Sequence, residues 1–417
     1  MNHLPKAYST IIDFRNLAKL LSASSALTGA PCLAKTALWA AMIAAVVTPA
    51  ILSDTLPAQA LDLLGNAGGN AERWDNYGGA GNGGGGSTYN INGLGDKRGL
   101  LAVDGNGVGG ATGNGRSGGA PGGAGGAVGA TNISSGLAEI IGNSGKAGGV
   151  HLNAGAGGGG GAGVFLKNKT LSTYVGLTIT GGLGGSGGAA LAYSNYADSA
   201  GGGGGGGAGV LLSGGNLINV SGAQIIGGKG GAAGQALTGT DASNLPGAGA
   251  GGDGIVITDG ARFTNLGSIK GGAAGDNALS TTTQALGGSG ARIGANGYFI
   301  NQGIVAPGQS QRIGAAAIEI VGPNATLELR PGSDIQGKVH VANSITDAKL
   351  RFAGAQDFDV NVAVGVYDGF ASVTKTGTDT LTLIGVTSGT LPWRIEQGLV
   401  SFAQENSFGN SASSVTL

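Results

Sequence analysis

Short apolar stretches recur along the middle of the chain at nearly constant intervals. The stretch Val-Phe-Leu at 164–166 returns as Val-Leu-Leu at 210–212 and as Ile-Val-Ile at 255–257, with spacings of 46 and then 45 residues. Each is followed, later in its repeat, by a second apolar stretch that ends in paired glycines. These second stretches are 175–179, 220–226 and 266–269. Stretches this short and bounded by glycine predict β-strands rather than helices.

A single repeat of this kind cannot bury its own apolar face, but stacked repeats can. The pattern therefore predicts an all-β fold, a right-handed parallel β-helix or solenoid, with Gly-rich repeats over 131–305. Glycines between the strands allow the backbone to turn with positive φ. The long glycine stretches, such as Gly201 to Gly207, are interpreted as loops that leave the solenoid.

From about residue 306 glycine becomes sparse and apolar residues alternate with polar ones, as along 326–330 and 357–362. This alternation predicts a β-helix over 306–417 with one apolar face to each strand. Six side chains are expected to point inward: Phe352, Phe358, Val360, Val362, Leu381 and Leu383.

Glycine dominates the composition, with 92 of 417 residues, but no strict three-residue glycine period exists, which excludes collagen. Charged residues make up only 11% and the net charge is −1, so charge-driven disorder is not expected. No basic run is present, and nucleic acid is not expected as a partner. The low-complexity segment 61–130 offers little side chain to bury, and we expect it to be weakly ordered.

The first 60 residues have the pattern of an export signal. Bases up to Lys35 precede an uncharged, largely apolar stretch at 36–53, and Ala58-Gln59-Ala60 supplies the small residues that signal peptidase requires. We predict cleavage between Ala60 and Leu61; a transmembrane anchor is the alternative. The single cysteine, Cys32, precedes the apolar stretch, so the exported chain would contain no disulfide.

Candidate chemistry is sparse, and we predict no catalytic, cofactor-binding or metal-binding residue. Only His151 and His340 follow the signal, and His340 lies between two valines of an alternating strand, where it would face solvent. The Gly-x-Ser-x-Gly matches around Ser117 and Ser186 are expected by chance in so glycine-rich a chain. The segment 142–147 lacks the residues of a phosphate loop. The Gly-Gly-Asp-Gly at 251–254 lacks the second aspartate of calcium-binding nonapeptides.

Asp357 and Asp359 share one face of a predicted strand. Polysaccharide hydrolases and lyases with a parallel β-helix gather carboxylates on such a face. The competing interpretation is a solvated polar face opposite Phe358 and Val360, and the absence of neighbouring bases in the sequence favours it.

The segment 330–417 resembles the passenger domains of autotransporters, whose strand repeat reads approximately Lys-x-Gly-x-Gly-x-Leu-x-Leu-x-Gly. Lys-Thr-Gly-Thr-Asp-Thr-Leu-Thr-Leu-Ile-Gly at 375–385 is similar, except that Asp379 replaces the second glycine. A further strand at 395–402 and Phe408-Gly409, in place of the usual Leu-Gly, continue the resemblance. The resemblance implies a β-helical passenger and an outer-membrane β-barrel translocator as its partner. That barrel is missing from this sequence, which is interpreted as a fragment, a truncated reading frame or a split gene.

The expected function is that of an exported cell-surface, outer-membrane or extracellular passenger with a structural or adhesin-like role and no catalysis. Host or neighbouring-cell surfaces are the expected targets. Two alternatives remain open: a β-helix enzyme that degrades polysaccharide, and a secreted Gly-rich matrix protein.

Overall fold

The structure is a computed structural model that describes residues 106, 108, 123–150, 154–190, 200–235, 246–276, 285–310, 315–362, 366–387, 390–410 and 412–417. In this part of the chain the regular structure is β-strand, apart from one 3-10 helix at Glu405–Phe408. The strands pair in parallel. The prediction of an all-β fold is therefore confirmed.

The strands in chain order are β1 (Glu139–Ile141), β2 (Val164–Ser172), β3 (Thr178–Thr180), β4 (Val210–Asn219), β5 (Gln224–Ile226), β6 (Ile255–Thr258), β7 (Arg262–Asn265), β8 (Ser268–Lys270), β9 (Ala291–Ile293), β10 (Tyr298–Asn301), β11 (Ile304–Ala306), β12 (Ile318–Ile320), β13 (Thr326–Leu329), β14 (Asp334–Ile335), β15 (Val339–Val341), β16 (Lys349–Gly354), β17 (Phe358–Asn361), β18 (Tyr367–Asp368), β19 (Ser372–Gly377), β20 (Thr380–Ile384), β21 (Trp393–Ile395), β22 (Leu399–Phe402) and β23 (Val415–Thr416).

These strands form three parallel sheets. The order is β1-β3-β5-β8-β11-β14 in a six-stranded sheet and β17-β20-β22 in a three-stranded one. A 14-stranded sheet runs β18-β15-β12-β9-β6-β4-β7-β10-β13-β16-β19-β21-β23, with β2 also paired to β4. The long strand β4 joins its two halves, because its first residues pair with β6 and its last with β7. We call the side from β6 to β18 the first half and the side from β7 to β23 the second half.

The apolar repeats pair with one another residue for residue. Val164 lies opposite Val210, Val210 opposite Ile255, and Ile255 opposite Ala291. The second apolar stretches align in the six-stranded sheet in the same way, with Ile179 opposite Ile225. The repeats predicted from the sequence therefore match the strand register.

The core consists of columns of apolar side chains that run across the strands. Phe263 and Phe299, opposite each other in β7 and β10, have ring centroids 5.4 Å apart. Of the side chains predicted to point inward, five are buried and Phe358 is partly buried against the same core. The predicted inward face of the region after 306 is therefore confirmed.

One corner of the repeat requires a left-handed backbone. At equivalent positions of successive repeats, inside β2 and β4 and just before β7, β10 and β13, a residue has positive φ. These residues are Asn168, Gly214, Gly260, Asn296 and Asn324, with φ between 52° and 72°. Glycine and asparagine are the residues that adopt this conformation at least cost. The predicted turning role of glycine is confirmed at such corners.

The long glycine stretches differ from the prediction of loops. Gly201 to Gly207 is buried at every residue, and 154–163 is buried throughout. We call the stretches that follow the strands of the six-stranded sheet the outgoing segments: 142–149, 181–190, 227–235, 271–276 and 307–310. Those that lead into the next repeat are the returning segments: 123–129, 155–163, 201–209, 247–254 and 286–290. Because glycine exposes its peptide groups, these segments pack through backbone hydrogen bonds instead of side chains.

These hydrogen bonds repeat every third residue. Between returning segments, the amides of Gly157 and Gly160 donate to the carbonyls of Gly202 and Gly205, both at 2.9 Å. Between an outgoing and a returning segment, the amides of Gly182 and Gly185 donate to the carbonyls of Gly161 and Gly158, both at 2.7 Å. A three-residue period is also that of the polyproline II helix. Each segment obtains its hydrogen bonds from neighbouring segments.

At the C-terminal end of the segment 61–130, residues 123–129 lie in no strand but are hydrogen-bonded to a returning segment. The amides of Gly123, Gly126 and Gly129 donate to carbonyls of the returning segment 155–163. Most of 61–122 lies outside the described residues.

Most glycines of the outgoing and returning segments are required because the backbone of a neighbouring segment lies too close for a side chain, and not because their φ is positive. A Cβ atom on Gly204 would overlap the carbonyl oxygen of Gly158, and one on Gly157 would overlap that of Gly185. Both obstacles are backbone atoms, which cannot rotate away as a side chain would. The segments can therefore pack at this distance only without side chains.

We predict that Gly204→Val lowers the free energy of unfolding by about 3 kcal/mol, because the new side chain must separate two hydrogen-bonded segments. Ser186→Val is the matched control, since Ser186 lies in an outgoing segment but is exposed. Urea unfolding followed by circular dichroism measures both changes. Equal stability of the two variants would show that the glycine layers are not closely packed.

Candidate functional site

The residues of the predicted signal cleavage site, Ala58, Ala60 and Leu61, lie outside the described residues, as do His151 and Ser117. Among the residues that the structure does describe, no helix has the length and apolarity needed to cross a membrane. The same part of the chain contains no group of three or more His, Cys, Asp or Glu side chains placed to hold a metal ion.

The two aspartates considered for polysaccharide cleavage have different surroundings. The Asp357 carboxylate accepts a 2.6 Å hydrogen bond from the backbone amide of Thr380, and so helps to join β17 to the start of β20. Asp359 is exposed and lies opposite Thr382 in the parallel pair. This arrangement agrees with the solvated polar face favoured by the sequence.

His340 and Ser186 lie in different parts of the fold, a strand and a glycine segment. His340 is half-buried, on the face of β15 opposite the buried Val339 and Val341. Ser186 lies exposed in an outgoing glycine segment and not between a strand and a helix, so the context that would make it a nucleophile is missing.

The structure brings Asp253, Arg292 and Glu319 together although one repeat or more separates them. The Arg292 Nε lies 2.8 Å from Asp253 Oδ2, and an Arg292 terminal nitrogen lies 3.0 Å from Glu319 Oε2. The second Asp253 oxygen accepts a 2.8 Å hydrogen bond from the Ser289 amide. In the next strand His340 lies opposite Glu319. We call Asp253, Arg292 and Glu319 the ion-pair network.

Burial raises the pKa of the Asp253 carboxyl, and the Arg292 guanidinium opposes that effect. For Arg292, burial disfavours the charge, but the two carboxylates hold the pKa of the guanidinium above its usual value. The Asp253 side chain is fully buried, so a substrate has no access to it. The geometry therefore fits a structural role, in which a returning glycine segment is tied to β9 and β12.

A column of three asparagines lies inside the core. Asn219 Nδ2 donates to Asn265 Oδ1 at 2.9 Å, and Asn265 Nδ2 donates to Asn301 Oδ1 at 2.8 Å. The column ends where Asn301 Nδ2 donates to the carbonyl of Gly303 at 2.9 Å. The three asparagines are fully buried. Their amides satisfy one another and fix the register of the turns that follow.

The outer face of the second half of the 14-stranded sheet carries a cluster of arginines. Arg330 Nε lies 2.5 Å from Glu328 Oε1, and Arg351 Nε lies 3.6 Å from Glu328 Oε2. The Tyr298 hydroxyl donates to the same carboxylate, and the Arg262 guanidinium lies 4.4 Å from the centroid of the Tyr298 ring. We call these five residues the arginine cluster.

Glu328 is buried, whereas Arg330 and Arg351 are about one third exposed. Burial and then the hydrogen bond to Glu328 raise the pKa of Tyr298 to about 12, so its hydroxyl remains a donor at physiological pH. One carboxylate is thus shared by two guanidinium groups and a phenol. With three guanidinium groups and one carboxylate, the cluster carries surplus positive charge.

Sequence reasoning did not predict the network, the asparagine column or the arginine cluster. The sequence analysis looked for bases close in sequence to Asp357 and Asp359. It could not find the arginine cluster, because parallel pairing brings residues together that are far apart in the sequence. A signal was present for the asparagines, since each precedes a glycine by two or three residues in successive repeats. A signal was also present for Arg292, because it is a charged residue at the position that apolar Val256 occupies in the preceding repeat.

No protein-family model, no curated protein and no solved structure matches this chain.

We predict that Arg292→Met lowers the free energy of unfolding by about 3 kcal/mol, because it leaves the Asp253 carboxylate buried without its charged partner. The double variant Asp253→Asn/Arg292→Met removes both charges and should recover most of this loss. Thermal and urea unfolding of the single and double variants form a double-mutant cycle. Additive losses would contradict the ion-pair interpretation.

Proposed function

We propose that the chain is a right-handed parallel β-helix that serves as the exported surface passenger of an autotransporter-like protein, with a structural or adhesin-like role and no catalysis. The observation that carries the proposal is the in-register stacking of consecutive repeats across the three parallel sheets. Such a stack lengthens by one repeat at a time and offers a long lateral surface.

The turn at Lys375 supports the autotransporter part of the proposal. The Lys375 side chain is fully buried, and its ammonium donates to the carbonyls of Thr376 and Gly377 at 3.1 and 3.0 Å. The same ammonium donates to the carbonyl of Gln397 in the following repeat at 3.4 Å. Lys375 therefore caps its own turn and joins it to the next repeat. This role explains why the strand motif begins with a lysine.

Asp379 is the departure from that motif, and its position explains it. Its Oδ1 lies 3.0 Å from the Lys375 ammonium, and both side chains are fully buried. A buried ammonium needs a counter-charge, and the carboxylate provides one where the motif has glycine. The substitution therefore keeps the turn instead of breaking it.

Export is supported by the first 60 residues. The apolar stretch and Ala58-Gln59-Ala60 fit a cleaved signal, and no cysteine follows it. The outer-membrane β-barrel translocator is the proposed partner, and a chain free of disulfides suits passage through such a barrel unfolded. The proposed location is the cell surface or the extracellular space.

Surface display tests the function. The full chain is fused to a barrel translocator and produced on a non-adherent bacterium, and we expect increased adhesion to host cells or to identical bacteria. A fusion carrying Gly204→Val is the matched control, because it disturbs packing without changing charge. Normal display without any gain in adhesion contradicts the adhesin-like role. Turnover of polysaccharides that is lost in Asp357→Asn or Asp359→Asn would establish the enzyme alternative.

We predict that the exported protein begins at Leu61, because Ala58 and Ala60 provide the small side chains that signal peptidase binds. N-terminal sequencing of protein recovered from the cell surface measures this directly. Ala60→Arg is expected to block cleavage and leave the precursor in the inner membrane. A surface protein that retains residues 36–53 would contradict the cleavage prediction.

A further inference from the structure

The arginine cluster belongs to a wider basic face. Lys349 lies in the same strand as Arg351, two residues away, so both side chains are on the outer side of β16. Arg262 and Lys349 are in one row of the sheet, since Arg262 lies opposite Tyr298, Tyr298 opposite Thr326, and Thr326 opposite Lys349. We call the arginine cluster with Lys349 the basic face.

This face carries more positive charge than its acidic side chains neutralise. Among its residues only Glu328 is acidic, and it is engaged by Arg330, Arg351 and Tyr298. Arg262 contacts the ring of Tyr298, which carries no negative charge to neutralise the guanidinium. Arg262 and Lys349 are exposed. The charge is therefore available to a partner, although the whole chain has a net charge of −1.

Hydroxyl groups lie between and beside the bases. Thr264, Ser372 and Thr374 are on the same outer side of the sheet and are half-buried. Thr374 lies opposite Arg351, and Ser372 lies opposite Lys349. Neighbouring strands are about 4.8 Å apart. Along the row of Arg262 and Lys349, Tyr298 and Thr326 separate the two bases, and Ser372 follows Lys349.

We propose that the basic face binds an acidic polysaccharide, a chain of sugars bearing carboxylate or sulfate groups. Guanidinium groups pair with such anions through parallel hydrogen bonds, and the neighbouring hydroxyls suit a polyhydroxylated chain. Arg262 and Lys349 lie three strands apart in one row, with Arg351 beside Lys349 in the same strand, and this spread of bases suits a linear polymer with repeated charges. This assignment deepens the proposed surface function and rests on it, because exported proteins meet acidic polysaccharides.

The shape of the face favours a polysaccharide over the other polyanions. Reading a nucleic-acid duplex in its groove requires a helix or ribbon that enters the groove, whereas this face is the side of a sheet. Insertion into a lipid surface requires exposed apolar side chains, and Ile300, the apolar residue opposite Glu328, is buried. Single-stranded nucleic acid and anionic vesicles are therefore used as comparison ligands.

The test is direct binding of the purified full-length chain to heparin, to polygalacturonate and to neutral dextran, measured by calorimetry at low and high salt. We expect binding to heparin or polygalacturonate that weakens with salt, and none to dextran. The variant Arg262→Gln/Lys349→Gln/Arg351→Gln should lose affinity at least about tenfold. The control Lys146→Gln/Lys167→Gln/Lys338→Gln removes the same charge from exposed lysines elsewhere and should keep nearly full affinity.

Equal losses in the two triple variants would overturn the proposal, because attraction would then follow net charge alone. The proposal would also be overturned if the chain bound neither heparin nor polygalacturonate. Tighter binding to single-stranded DNA or to phosphatidylserine vesicles than to these polymers would overturn it as well. Circular dichroism and thermal unfolding verify that both variants fold. Because this assay uses purified protein, its failure leaves export and adhesion to be judged separately by the display experiment.

Discussion

Within the glycine segments, peptide groups of neighbouring repeats lie so close that a methyl group on one would collide with a carbonyl oxygen of the other, as at Gly204 and Gly158. Polar peptide groups buried in this way need partners. The amides of the segment 155–163 find them in the next returning segment, in an outgoing segment and, at Gly159, in the carbonyl of Val108. Each segment therefore depends on its neighbours on several sides, and no single repeat can form this arrangement alone.

This constraint also explains where side chains occur. In the outgoing segment 181–190, Leu183 and Ser186 are exposed while the intervening glycines are buried or half-buried. The interval between equivalent strands falls from 46 residues at Val164 and Val210 to less than half of that at Ile318 and Val339. As the glycine segments shorten, the apolar columns provide more of the packing; the rings of Phe352 and Trp393, for instance, stack at 5.7 Å. The change in composition near residue 306 thus reflects a change in how neighbouring repeats are held together.

The apolar repeats were sufficient to predict strand identity, strand register and the inward face at Leu381 and Leu383, because each depends on a short local pattern and a constant spacing. The packing of Gly201 to Gly207 was not predictable in the same way. Glycine serves both in turns and in close approach, and only the neighbouring segments distinguish the two. Asp253 and Arg292 escaped prediction because they meet only when a returning segment lies beside the following repeat. The signal cleavage site at Ala60 remains a prediction.

The arginine cluster shows how a function can arise on such a scaffold. Inward positions of β7, β10, β13 and β16 are restricted to side chains that fit a column, such as Phe263 and Phe299. Outward positions of the same strands hold exposed bases, such as Arg262 and Lys349, as well as the buried Glu328. Parallel pairing holds these positions in rows at the strand spacing. Arg262, Glu328 and Arg351 come from three different repeats, yet Tyr298 links Arg262 to Glu328 and Arg351 contacts Glu328 directly. This is possible because register is preserved while the glycine segments change in length. A chain with only 11% charged residues can therefore concentrate charge at one place by alignment, without any charged run in its sequence.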